Sequence, residues 1–283
     1  MLLVKVAILS LLHLQQVTVN DVDITPARLK PKLTFSGAIR VRAANNFQRT
    51  YHGNLEITAK NNELQLVLTT TEEALVAATV SAESPPNALP AALQAQAIFA
   101  RSWIHASRGR HGQYDLCDTT HCQHFKEPTK RGIEAAKATE ALLLTWQGKP
   151  FAPAYSASCG GRTKTAAAIG WRDDNRYPYF EVNCPICQRD EPQWIRHPSP
   201  EQLKEIRQNP NKEGIRLKLG RETGWDTLPS NNYEIKGEEI IGHGQGHGLG
   251  YCQRGGAGLA QLGKTAAEIL RHYFPGTDIV SSR

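Results

Sequence analysis

The order of its hydrophobic patterns is the feature of this 283-residue chain that most constrains its fold. Residues 1–80 predict strands, because segments such as LTFSGAIRVRA, GNLEITAK and NELQLVLTT are rich in β-branched residues and partly alternate. Helical patterns begin near Pro90, span about Lys130 to Leu142, and begin again at Ser199 and Thr265, where each helix is predicted to start with a capping box. The strand patterns GIRLKLG and NYEIKGEEII follow Ser199. Because strand patterns come first and a mixture of helices and strands follows, the sequence predicts an α+β fold with helices packed on a sheet.

The N-terminal stretch MLLVKVAILSLLHLQQ has some features of a signal peptide. Only Lys5 supplies an early positive charge, His13 interrupts the apolar run, and no A-x-A cleavage site follows. The run is also too short to span a bilayer. We therefore interpret VKVAIL as a first strand and predict a second strand in QQVTVNDVDI.

Composition narrows the classes of function. Hydrophobic residues make up 40% of the chain and charged residues 21%, which favours a packed globular protein over a disordered one. The net charge of +6 is spread along the chain and suits an anionic partner such as a cell-wall polymer. No Lys/Arg block and no nucleic-acid motif occurs, so we expect no nucleic-acid partner.

One glutamate lies between an apolar run and a proline-containing turn. Glu83 follows the apolar run from Leu75 to Val80, interpreted as a strand, and precedes Ser84-Pro85-Pro86, where the prolines predict an extended turn. Partial desolvation would raise the pKa of such a carboxyl group towards a value useful for a general acid. The alternative is an ordinary surface glutamate.

Two glycine-rich stretches predict loops that approach a ligand closely. The first, YSASCGGRTKTAAAIGW, combines paired glycines with hydroxyl groups. The second, GHGQGHGLG at residues 242–250, carries His243 and His247 and leads through Gln253 into a short predicted helix. The spacing of these histidines is not a usual metal-ligand spacing. Two alternatives are left for them, hydrogen bonding to a ligand and a structural role.

The cysteines permit either disulfides or a metal, since their number is even and they are unevenly clustered. They are Cys117, Cys122, Cys159, Cys184, Cys187 and Cys252. Together with one or two nearby imidazoles, Cys117 and Cys122 would satisfy tetrahedral zinc. A disulfide between these two cysteines and two free thiols remain as alternatives.

Taken in order, these stretches resemble the SpoIID/LytB domain, that of stage II sporulation protein D and its relatives. The shared pattern runs AALQAQAIFARSW, DTTHCQ, YSASCGGRT, GHGQGHGLGYCQRGGAGLA and ILRHYFPGT, within about residues 65–276. Residues 1–64 look like the leading strands of the family. The resemblance implies one SpoIID-like domain over residues 1–283, with a β-rich part at 1–64 and a motif-bearing core at 65–276.

The resemblance also implies site residues. The catalytic glutamate of the family matches Glu83. Residues expected to bind substrate are Arg101, Ser156, Ser158, Gly160, Gly161, Arg162, Thr163, His247 and Gln253. The zinc site of some members, a structural site that others lack, maps to His111, Cys117, His121 and Cys122.

Three geometric expectations accompany this assignment. His247 is expected within reach of Glu83, across a groove formed by the two glycine-rich loops. Arg101 is expected to point away from Glu83 or to pair with another acid, because a guanidinium beside Glu83 would keep it ionised. Cys159 is expected close to Cys184 and Cys187, joined by a disulfide to one of them.

The implied activity is that of a lytic transglycosylase on peptidoglycan glycan strands whose stem peptides have been removed. One carboxyl group suffices for it, because the muramic C6 hydroxyl is the nucleophile and a 1,6-anhydro end is the product. The family also includes non-catalytic amidase enhancers, which is the alternative. We expect a cell-envelope, extracytoplasmic protein without a clear signal peptide, beside a partner hydrolase or amidase.

Overall fold

The computed structural model describes residues 2–29, 31–44, 46–119, 122–171 and 177–282. The chain divides into two compact units, residues 1–143 with 281–283 (unit 1) and residues 144–280 (unit 2). The single SpoIID-like domain expected over residues 1–283 stays a prediction; the strand Glu63–Thr71 continues across residue 64 within unit 1. The mixture of strands and helices confirms the predicted α+β class.

Unit 1 is built on a seven-stranded sheet. Its strands are β1 (Leu3–Ile8), β2 (Val17–Val19), β3 (Val22–Ile24), β4 (Lys32–Ala43), β5 (Phe47–Lys60), β6 (Glu63–Thr71) and β7 (Leu116–Cys117). They lie in the order β3-β2-β4-β5-β6-β1-β7, with β1 antiparallel to β6 and parallel to β7. The N-terminal apolar run is therefore an interior strand, and its Val4, Val6 and Ile8 are buried in the core.

Three helices of unit 1 pack on one another: α1 (Glu72–Glu83), α2 (Pro90–Ala106) and α3 (Lys130–Ala138). The prediction that Leu75 to Val80 forms a strand is wrong, because these residues lie within α1. The Thr71 side chain caps this helix by accepting a hydrogen bond from the Ala74 N–H at 3.2 Å. Residues 75–81 are all buried, so the helix lacks the polar face by which helices are recognised in a sequence.

The two other helices of unit 1 were predicted from the sequence. Helix α2 starts at Pro90 as predicted, and the face formed by Leu93, Ala97, Ala100 and Ile104 is buried. Helix α3 ends at Ala138, four residues before the predicted end at Leu142, which begins the next strand instead.

Unit 2 contains short strands and helices. Its strands are β8 (Leu142–Trp146, within which the unit boundary falls), β9 (Lys149–Pro150), β10 (Tyr155–Ser156), β11 (Gln193–Arg196), β12 (Tyr233–Lys236), β13 (Glu239–His243), β14 (Tyr251–Cys252) and β15 (Asp278–Ser281). Its helices are α4 (Pro185–Asp190), α5 (Pro200–Gln208), α6 (Lys212–Thr223), α7 (Gln253–Gln261) and α8 (Ala266–Tyr273). The strands form the sheets β11-β13-β12, β10-β14 and β15-β8-β9.

The capping boxes predicted at Ser199 and Thr265 are confirmed at the starts of α5 and α8. The predicted strand GIRLKLG is wrong, because residues 214–220 lie in α6, which is capped by the Asn211 side chain. The buried side chains Ile215 and Leu219 of α6 join an apolar cluster with α5 and β13. No helix in the described part of the chain is long and apolar enough to cross a membrane.

Candidate functional site

Glu83 is the last residue of α1, and the 84–89 segment connects it to α2. Its side chain is half-buried. The helix stops here because Ser84 adopts an extended conformation and two prolines follow, and neither proline can donate a helical hydrogen bond. The carboxyl group therefore lies at a corner between two helices, not at the end of a strand as predicted.

This corner is held by hydrogen bonds from α3. The Ser81 hydroxyl donates to the Ala77 carbonyl at 2.7 Å and accepts from the Thr129 N–H at 2.9 Å, which ties α1 to the start of α3. The Arg131 guanidinium donates to the carbonyl groups of Pro86 and Ala88 in the connecting segment. The segments on both sides of Glu83 are therefore fixed to one helix, which limits the movement of its backbone.

Other acidic residues of unit 1 have structural partners. Asp115 accepts from the backbone N–H groups of Lys5 and Gly109, and Asp118 accepts from that of Leu9. Glu73 binds Arg101 through both of its carboxylate oxygens, at 2.8 and 2.6 Å. These three carboxylates hold parts of the fold of unit 1 together.

Arg101 has a different role from the one predicted. It is fully buried, and besides Glu73 it donates to the carbonyl groups of Ala136 and Leu142. Its pairing with another acid agrees with the geometric expectation. Substrate binding does not fit this position, because the guanidinium has no surface to offer a ligand; we therefore correct its assignment to a core residue.

The first potential metal-binding group lies next to the sheet of unit 1. The ligand atoms of His111, Cys117 and Cys122 lie within 4.8 Å of one another, and His111 Nε2 is 3.1 Å from Cys122 Sγ. This donor set fits a zinc ion. The fourth predicted ligand, His121, lies outside the described residues, so zinc at this position remains a proposal.

In unit 2 the two glycine-rich loops contact each other through their backbones. Strands β10 and β14 pair in parallel, and Ser158 and Gln245 exchange backbone hydrogen bonds of 3.1 and 2.9 Å. A Cβ atom on Gly160 would lie 2.6 Å from Asn232 Nδ2, and one on Gly244 would lie 2.7 Å from Gly160 N. The glycines at these two positions therefore permit the contact between the loops, not the approach of a ligand to the backbone.

Of the residues predicted to bind substrate in the first loop, only some are accessible. Ser156, Ser158 and Thr163 are buried; Ser158 donates to Glu191 Oε2 at 2.6 Å and Thr163 donates to the Phe180 carbonyl at 2.9 Å. The hydroxyl groups of Ser158 and Thr163 hold the loop, and we correct the assignment of these two residues to structural ones. Gly161 lies against Gln188, whereas Arg162 is exposed, 3.4 Å from Glu181.

His247 is also part of the loop structure. Its Nδ1 accepts from the Leu249 N–H at 2.9 Å, the ring also hydrogen-bonds with the Tyr155 backbone, and the Trp171 ring lies 5.1 Å away. Desolvation lowers the pKa of His247 to about 4, with Arg216 adding to this and Glu213 opposing it. The neutral ring fixes the loop, so the structural alternative is favoured over substrate binding; Gln253, at the start of α7, is half-buried.

The predicted proximity of Glu83 and His247 remains a prediction. Glu83 belongs to unit 1 and His247 to unit 2.

A second group of potential metal ligands was missed by the sequence reasoning. Cys159 lies near Cys184 and Cys187 as predicted, but Cys252 joins them, and all four are free thiols instead of a disulfide pair. The parallel pairing of Ser156 with Cys252 brings Cys252 into the group. Hydrogen bonds with the Cys159 thiol lower the pKa of Cys184 and lower that of Cys187 to about 6, which favours thiolates there. The Cys-x-x-Cys spacing at 184–187 was the available signal.

Comparison with known proteins agrees with the sequence resemblance. Residues 60–146 match the family model SpoIID, described as "Stage II sporulation protein". An uncharacterized protein of Brachyspira hyodysenteriae is 29% identical over 268 residues, which cover 81% of this chain and 72% of that protein. The proteins named Stage II sporulation protein D from Bacillus amyloliquefaciens and Bacillus subtilis are 26% and 25% identical, each over 73% of this chain and over 73% and 74% of their own lengths. The match over residues 60–146 and the similarity to these proteins support the assignment of the chain to the SpoIID family.

Proposed function

We propose that this protein is a peptidoglycan lytic transglycosylase that cleaves peptide-stripped glycan strands, with Glu83 as the acid and base. Membership of the SpoIID family supports a sporulation-related role at the cell wall. The observation that carries the proposal is the position of Glu83, a half-buried carboxyl group at a corner held from both sides by α3. General acids are effective when their position is fixed relative to the scissile bond.

The proposed reaction needs one proton carrier and no external nucleophile. The Glu83 carboxyl group donates its proton to the glycosidic oxygen as the bond to the anomeric carbon breaks. The resulting carboxylate then takes the proton of the muramic C6 hydroxyl, whose oxygen bonds to the anomeric carbon and closes the 1,6-anhydro ring. Glu83 ends the cycle protonated, so a second carboxyl group, which hydrolytic glycosidases use, is not required.

The charge of the chain supports a preference for peptide-stripped strands. Cleavage of the amide that joins a stem peptide to muramic acid leaves a free carboxylate, so a stripped strand is a polyanion. The chain carries a net charge of +6, and Arg162 presents an exposed guanidinium on the first glycine-rich loop. Lys164 follows two residues later on the same loop and is half-buried. Positive charge at a binding surface raises the rate at which a polyanion associates.

The test is digestion of purified, peptide-free glycan strands followed by mass spectrometry of the ends. Anhydro ends, each one water lighter than the reducing end that hydrolysis leaves, support the proposal. The Glu83→Gln variant should give none, whereas Glu134→Gln, at an exposed position of α3, should act like the wild type. Reducing ends labelled by ¹⁸O-water would instead indicate a hydrolase.

The alternative, a non-catalytic amidase enhancer, gives a different result in the same experiment. An enhancer would bind the strands without releasing fragments, and the wild type and the Glu83→Gln variant would increase the activity of an added amidase equally. Fragment release that depends on Glu83 excludes this role as the main one.

A further inference from the structure

The four cysteines of unit 2 form a compact group that the proposed reaction does not use. Cys159, Cys184, Cys187 and Cys252 are each at most 2% exposed. Their sulfur atoms all lie within 4.8 Å of one another, and Cys187 Sγ is 3.6 Å from Cys252 Sγ. Three separate segments of the chain supply them. We call this group the tetrathiol cluster.

The distances fit a single tetrahedral metal ion, of which zinc is the usual one for four thiolates. Zinc bound by four thiolates has Zn–S bonds of about 2.3 Å, which places the sulfur atoms of a tetrahedron about 3.8 Å apart. A disulfide requires about 2.05 Å, much less than the 3.6 Å between Cys187 and Cys252. An iron–sulfur cluster needs room for several iron and sulfide ions among its cysteines, whereas these sulfur atoms leave room for a single ion.

Hydrogen-bond donors surround the sulfur atoms. Cys252 Sγ accepts from the backbone N–H groups of Cys159 and Gly255, both at 3.3 Å, and the Tyr273 hydroxyl lies 3.2 Å from Cys184 Sγ. Such outer contacts are typical of thiolates bound to a metal, because they stabilise negative charge on sulfur. Gly255 is required for this approach, since a Cβ atom there would lie 2.5 Å from Cys184 Sγ.

We propose that the tetrathiol cluster binds one zinc ion in a closed, structural site. The elements that carry or adjoin the ligands are small. Cys252 lies in the two-residue β14, Cys184 and Cys187 lie at the start of the six-residue α4, and Cys159 follows the two-residue β10, so none of these elements is long enough to be stable alone. With all four positions taken by cysteine, the ion has no open coordination site and serves the fold. It joins the loop bearing Arg162 to the start of α7, which bears Gln253. This site does not depend on the proposed transglycosylase activity.

The test must separate this site from the one at His111, Cys117 and Cys122. The full chain with Cys117→Ser and Cys122→Ser is purified under anaerobic, reducing conditions with added zinc and then desalted. Elemental analysis is expected to find about one zinc per chain, and X-ray absorption at the zinc edge is expected to show four sulfur ligands at about 2.3 Å. Adding Cys184→Ser and Cys187→Ser should remove this zinc.

The zinc content of the wild-type chain is measured as well, so that the result does not depend on whether the variants fold. The wild-type chain is expected to contain about one zinc more than the chain with Cys184→Ser and Cys187→Ser alone, whether or not the other site is filled. Folded, zinc-free protein with four free thiols in the cluster would overturn the proposal. So would peptide mapping that finds these cysteines in disulfides, or a coloured protein that holds iron in place of zinc.

Discussion

At the scale of single residues, the position of Glu83 leads to a direct prediction. The substitution Glu83→Gln removes the transferable proton and keeps the size of the side chain, so the fold should persist while cleavage falls by a factor of about 10² or more. Release of anhydro fragments from peptide-free strands measures the activity, and thermal unfolding checks the fold. Wild-type cleavage by this variant would show that Glu83 is not the acid.

His247 gives a prediction about acid stability. Its pKa of about 4 in the folded chain lies below the ordinary value of 6.5, so the unfolded chain binds the proton first as the pH falls. Its contribution to stability is therefore complete above about pH 6.5 and decreases down to about pH 4. The shift corresponds to about 3 kcal/mol.

The measurement compares urea unfolding of the wild-type chain and of His247→Gln at pH 7 and near pH 4. The difference in unfolding free energy between the two proteins should shrink towards the acid pH, because the variant lacks the titrating ring. A difference that stays constant between the two pH values would contradict the desolvated environment of His247.

Groupings of residues that are close in the sequence were predictable from residue type. The roles of polar residues that the fold buries were not. The proximity of His111, Cys117 and Cys122 follows from residue type and spacing, whereas the role of Glu83 stays a prediction. Residue type and motif suggested ligand binding for Arg101, Ser158 and Thr163. Each of these side chains is instead buried and hydrogen-bonded to another residue of the protein. A sequence does not show which polar groups the folded chain satisfies internally.

At the scale of elements, the contact between α1 and α3 reverses an ordinary rule. Replacing a helical glycine with alanine usually stabilises a helix by up to about 1 kcal/mol. Gly132 of α3 is an exception, because a Cβ atom there would lie 2.1 Å from Ser81 Oγ and 2.7 Å from the Ala77 carbonyl oxygen. Gly132→Ala should therefore destabilise unit 1, by about 1–3 kcal/mol, and should lower activity by shifting the end of α1.

Chemical denaturation of Gly132→Ala measures this effect, and the double variant Ser81→Ala with Gly132→Ala is the control. Removing the Ser81 hydroxyl relieves the closest contact, so the two substitutions together should cost less than the sum of their separate effects. Increased stability of the single variant would show that the two helices are not in the contact described here.

The errors in predicting elements share one physical cause. Leu75 to Val80 and residues 214–220 are short apolar or mixed runs that fit both a strand and a helix, and their periods do not distinguish the two. The deciding signals were the caps, Thr71 before α1 and Asn211 before α6, which lie outside the runs themselves. Where the caps were recognised, at Ser199 and Thr265, the helices were predicted correctly.

At the scale of the whole molecule, the sequence did not allow us to predict which distant segments come together in the fold. The tetrathiol cluster needs Cys252 beside Cys187, 65 residues away, and the pairing of β10 with β14 brings Cys252 to the segment that carries Cys159. Neither two-residue strand has a recognisable pattern. The family resemblance put the motifs in order along the chain but did not indicate that two of them share a cysteine group.

The net charge of the molecule leads to the last prediction. If the substrate is a stripped, polyanionic strand, cleavage at low substrate concentration should decrease as salt rises, because screening shortens the range of attraction. Arg162→Ala should raise KM by about two- to fivefold with little change in kcat, the effect of an exposed ion pair worth up to about 1 kcal/mol. Arg221→Ala, an equal loss of charge in the last turn of α6, is the matched control and should leave KM nearly unchanged. Equal effects of the two substitutions would mean that only the total charge matters, and would place the glycan away from the loop that carries Arg162.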